Sequence, residues 1–120
     1  MAEDYGAWAD EFAPVAVGDG RNRVAIAEFV RSLKALRPDA ACAVARHVFM
    51  MDLRNRLDGF DIPTTIIQPS DDPAVPVEAG RYLIGRWPHA HLEIIDAVGH
   101  FPHLTEPRKV IEVLARVLAG

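Results

Sequence analysis

Thr64-Thr65-Ile66-Ile67-Gln68-Pro69-Ser70-Asp71-Asp72-Pro73-Ala74-Val75-Pro76 is the stretch that decides the fold. Its first four residues form a β-branched run bounded by Pro63 and Pro69, the pattern of a short buried strand, and an acidic, proline-rich loop follows. Downstream the pattern predicts a helix from about Val77 to Arg86 and a second short strand at Leu92-Glu93-Ile94-Ile95. A final helix through Val110, Ile111, Leu114, Val117 and Leu118 is expected next, with Thr105 as its cap. A strand-helix-strand unit of this length runs its strands parallel through a right-handed crossover, so the loops leaving both strands emerge at one sheet edge.

That edge is where ligands and catalytic groups collect in open α/β sheets. The first loop there is Gln68 to Pro76, and the second is Ala97-Val98-Gly99-His100-Phe101-Pro102-His103. An acid and a histidine can therefore converge across one crossover. A carboxylate that accepts a hydrogen bond from Nδ1 fixes the imidazole tautomer and stabilises the imidazolium formed when Nε2 takes a proton. Asp71 and Asp72 taken alone could equally start a turn or cap a helix, as aspartates before proline often do. His89, His91 and His103 match no metal-ligand spacing.

Upstream, residues 4 to about 58 read as helices. Trp8, Phe12 and Val15 recur at helical spacing until Gly18-Asp19-Gly20 breaks the run. A second stripe uses Val24, Ala27, Phe29, Val30, Leu33 and Leu36 up to Arg37-Pro38-Asp39, and a third helix runs from about Ala40 to Met51 with a stripe through Val44, Val48 and Met51.

Half of the 120 residues are hydrophobic, enough to build a core. The net charge of −4 comes with scattered basic residues, which leaves no footprint for nucleic acid or an anionic membrane as partner. Cys42 is the one cysteine, which excludes an internal disulfide and fits a cytoplasmic protein. No membrane-length apolar run occurs, and Met1-Ala2-Glu3-Asp4 does not open a signal peptide.

The stretch from Thr65 to Leu104 resembles the C-terminal triad region of α/β-hydrolases, where the acid precedes a proline by four positions, as Asp72 precedes Pro76, and the base lies in a Gly-His pair. That resemblance prefers Asp72 over Asp71. Trp8 with Phe12-Ala13-Pro14, and Val48-Phe49-Met50-Met51-Asp52-Leu53-Arg54, are similar to the helical lid of RsbQ-like hydrolases and the related strigolactone and karrikin receptors. The likeness runs from about Tyr5 to Leu118. It implies an α/β fold with a partial lid over residues 1–58 and a C-terminal hydrolase core segment over 59–120. It also implies catalytic roles for Asp72 and His100, and an apolar pocket for a small ester or lactone involving Trp8, Phe12, Phe29, Phe49 and Phe101. No cofactor or metal is implied.

The Gly-x-Ser-x-Gly nucleophile turn of that family does not occur in these residues, and the two serines, Ser32 and Ser70, lack flanking glycines. The expected activity is therefore that of a segment, inactive alone, completed by a missing N-terminal half, with Met1 an internal start, a split-gene boundary or the edge of a fragment. The alternatives are a non-catalytic module binding a small ligand or a partner protein, and a piece with no independent function. With both sheet edges open, self-association is also expected.

Overall fold

A computed structural model describes residues 4–18, 20 and 22–120; Met1 to Glu3, Asp19 of the glycine break and Arg21 lie outside the described residues. Three helices come first: α1 (Tyr5–Val17), α2 (Arg23–Lys34) and α3 (Pro38–Met50). Each start has a local cause. The Asp4 side chain accepts from Ala7 N–H, the Asn22 side chain accepts from Ala25 N–H, and Pro38 occupies the first turn of α3, where its missing N–H costs no helical hydrogen bond. Pro38 thus begins the third helix, two residues before the expected Ala40 start.

The buried face of α1 also departs from the expected stripe. Tyr5, Ala9, Ala13, Ala16 and Val17 are buried, whereas Val15 is exposed. Small side chains win that face because close approach of backbones, rather than side-chain volume, fills the contact. The Tyr5 hydroxyl donates to Leu33 O at 3.0 Å and Lys34 Nζ to Asp10 Oδ2 at 2.7 Å, tying α1 to α2. Val24, Leu36, Val44 and Val48, read as parts of apolar stripes, are exposed in this chain, and α3 buries no residue.

After a single 3-10 turn at Arg54–Arg56 come β1 (Thr64–Asp71), α4 (Val77–Ile84), β2 (Ala90–Val98), a one-turn helix α5 (Pro102–Thr105) and α6 (Pro107–Leu118). The strands pair in parallel, from Thr64 opposite Ala90 to Pro69 opposite Ile95. Both outrun their expected lengths. Pro69 lies inside β1 rather than ending it, which a strand with an unpaired side tolerates, and the register shifts between Pro69 and Asp71. Thr105 belongs to α5 and caps nothing; Glu106 occupies the cap position of α6, without a side-chain cap bond.

Ile95 and Ala97 of β2 pack with Val113 of α6, joined by Ile67 and Val110, while α4 crosses the sheet with Gly80 close against Leu92. The connector before β1 is fastened to the end of α4: Arg86 pairs with Asp58 at 2.7 Å, Trp87 Nε1 donates to Leu57 O at 2.8 Å, and Phe60 packs on Trp87. No helix among the described residues is long and apolar enough to cross a membrane.

Candidate active site

Both strands end at the same edge, and their C-terminal loops bring Asp72 and His100 together. His100 Nδ1 lies 2.8 Å from Asp72 Oδ2, with the Asp72 side chain 3% exposed and that of His100 40% exposed. The other carboxylate oxygen, Oδ1, accepts from Ala74 N–H at 2.8 Å and Val75 N–H at 3.1 Å, which closes the turn after β1. Asp71 is exposed and takes a different part: its carbonyl accepts from Gly99 N–H at 2.8 Å.

Burial pushes the Asp72 carboxyl upward, but hydrogen bonds from His100, Ala74 and Val75 and the charge of His100 outweigh it and hold the group below the ordinary carboxylate range. An ionised carboxylate can only accept, so Nδ1 carries the proton and the Nε2 of a neutral ring keeps its lone pair. Nε2 has no hydrogen-bond partner among the described residues.

The sign of the pH effect follows. Since the folded state depresses Asp72's pKa, its contribution to stability is full above the unfolded value of about 3.9 and disappears as pH falls through the lower folded value. Denaturant titrations at neutral pH and in acid should show wild type losing more stability on acidification than Asp72→Asn, which has no titrating group at position 72. Equal losses would mean that the carboxylate lacks these partners in solution.

The turn bearing the histidine is seated on α1. Gly99 has φ +96°, and a Cβ there would fall 1.7 Å from Val17 O; Gly18, at φ +78°, faces Gly99 from the helix end. His100 N–H donates to Ala16 O at 2.9 Å, satisfying one of the carbonyls a helix terminus leaves free. The pairing of Gly18 with Gly99 is visible in sequence as two glycines, but their meeting across the fold is not.

An aromatic file runs from the helices to the histidine. Trp8 stacks on Phe12 at 4.8 Å between centroids, Phe29 lies 6.3 Å from Phe12 and 4.3 Å from Phe101, and the Phe101 ring stands 5.1 Å from that of His100. Trp8, Phe12, Phe49 and Phe101 line an apolar groove of about 840 Å³ together with Tyr5 and Leu33. Phe29 packs against two of these rings but is not among the lining residues. Tyr5 was not singled out in the sequence, although it stands three and seven residues before Trp8 and Phe12 on one helical face.

The remaining candidates are dispersed. Ser32 Oγ bonds back to Glu28 O in α2, and Ser70 Oγ is spent on the backbone of Ala97 at 3.4 Å. His89 Nε2 lies 3.1 Å from Asp61 Oδ1, at the start of β2, far along the strand from His100.

No protein-family model matches the sequence. Among curated proteins, the chain is 40% identical over 122 residues to karrikin insensitive 2 receptor CA of Petunia hybrida, covering 97% of this chain and 43% of the relative. It is 37% identical over 124 residues to a strigolactone esterase of Arabidopsis thaliana, covering 98% of this chain and 44% of the relative. Among solved structures, a hydrolase from Oleispira antarctica superposes with a TM-score of 0.89 at 28% identity, covering 98% of this chain and 43% of that one. The chain thus spans less than half the length of the curated relatives it matches.

Proposed function

The chain belongs to the α/β-hydrolase superfamily, in the group of strigolactone and karrikin receptor esterases, and matches the C-terminal part of that fold; from this premise we propose that it supplies the acid and base of a serine hydrolase centre. The observation that carries the reading is the contact between Asp72 and His100 Nδ1, with Nε2 left for a substrate-side proton.

In the proposed reaction, a serine from a segment outside these residues attacks an ester or lactone carbonyl as its hydroxyl proton passes to His100 Nε2. Asp72 stabilises the imidazolium, which then protonates the departing alkoxide. Water, deprotonated by the same Nε2, cleaves the acyl-serine and restores the hydroxyl. Residues 1–58 act as part of a lid, and the groove beside Phe101 holds the apolar portion of the substrate. A second reading, a ligand-binding module without catalysis, draws on that same groove, because holding an apolar ligand requires no nucleophile.

The purified chain should show neither burst nor appreciable turnover with small activated esters, because the imidazole has no hydroxyl to activate. Stopped-flow assay with an activated ester, followed by mass analysis after a serine-directed covalent inhibitor, tests this. Inhibitor-sensitive turnover with the label on Ser32 or Ser70 would overturn the proposed division of labour.

A further inference from the structure

Gln68 is a buried polar residue, at 5% exposure. Its backbone is fixed in the ladder opposite Ile94, so the side chain departs from a rigid point. Its Nε2 donates to Val75 O at 3.0 Å and approaches Pro69 O at 3.4 Å. Both neighbours are carbonyls, so the amide must present its NH₂ to them. Val75 is also the residue whose N–H reaches Asp72 Oδ1. One peptide segment is thereby held on one side by the sheet and holds the acid on the other.

We infer that Gln68 is a positioning residue for the acid, fixing the 72–75 turn so that Asp72 Oδ2 meets His100 Nδ1; this rests on the reading of that pair given above. A carboxylate carried on a loop can rotate or drift unless the turn beneath it is pinned, and small misplacements of a catalytic group are costly in rate. Without the Gln68 amide, the Val75 carbonyl loses a buried partner and the turn loosens. The carboxylate then no longer holds the imidazole in one tautomer.

The test is ¹H and ¹⁵N NMR of the histidine rings in the full chain, with hydrogen exchange of the Ile66, Glu93 and Ile95 amides, which face the partner strand, as the control for the sheet. Wild type should show a slowly exchanging Nδ1 proton at His100 that Asp72→Asn removes. Gln68→Met keeps the volume without donors, and Gln68→Asn keeps the amide but falls a methylene short of Val75 O. Both should lose the Nδ1 signal with strand protection unchanged. If wild type lacks the signal, the Asp72–His100 pair itself is wrong and the inference falls with it. If the signal is present in wild type and survives in both variants, the pair stands and the role of Gln68 is refuted. Loss of strand protection together with the signal in both variants would make Gln68 a residue of the fold and also refute it.

Discussion

Assembled with the N-terminal half of a related hydrolase that carries a Gly-x-Ser-x-Gly turn and an oxyanion loop, the chain is expected to gain esterase activity that depends on His100 and Asp72. The added strands would pair along the free side of β1, and the serine would come within hydrogen-bond reach of Nε2. Replacing His100 by Ala should then cost roughly a million-fold in kcat, the scale seen when a triad loses its base. Asp72→Asn should cost about ten-thousand-fold, because the amide leaves the ring in the wrong tautomer. Asp71→Asn should cost far less, since Asp71 offers His100's loop its carbonyl and not its side chain. Steady-state kinetics on the purified complex decide the matter. Activity that survives both His100→Ala and Asp72→Asn in a folded complex would remove these residues from the mechanism.

The second large effect is expected at Gly99. Alanine there must adopt a left-handed backbone at φ +96° and place its Cβ 1.7 Å from Val17 O. The backbone strain and the overpacking each cost about 1–3 kcal/mol, giving on the order of 2–6 kcal/mol together. That is a large part of the 5–15 kcal/mol typical of a domain. Gly59 provides the control, with φ +81° and nothing within 4 Å of an added Cβ. Gly59→Ala should cost about 1–2 kcal/mol, the left-handed strain alone. Urea titrations of both variants at low temperature separate the two terms. Equal losses would mean that α1 is not seated against the histidine turn.

Much of the placement of this site was legible from residues 64 to 104. The β-branched run, the second strand and the intervening helix fix a parallel pair, and a parallel pair puts Asp72 and His100 at one edge. The sheet's ends were less legible. Pro69 reads locally as a boundary, yet the strand has a side with no neighbour and absorbs it. Thr105 has the composition of a cap, but the chain turns through Pro102–Thr105 before α6 begins, which no period reveals in so few residues. In the helical half the apolar stripes of α2 and α3 are legible in the sequence, and much of their surface is open in this chain. Periodicity marks which side of a helix is apolar; it does not say what covers that side. The buried alanines of α1 escaped for a related reason: size ranks residues in a pattern, whereas contact distance decides which of them meet.

Asp72 and His100 are secured over very different stretches of chain. The carboxylate turn is closed by Gln68, Ala74 and Val75, all within a few residues of one another. The histidine turn is held at Gly99 N–H by Asp71 O and at His100 N–H by Ala16 O, the latter from nearly the opposite end of the sequence. Closing that longer loop costs more chain entropy than closing the turn around Asp72. Fluctuations that lift α1 therefore loosen the His100 turn while the turn around Asp72 keeps its local shape, so the order of the Asp72–His100 pair is set by the rarer of two closures.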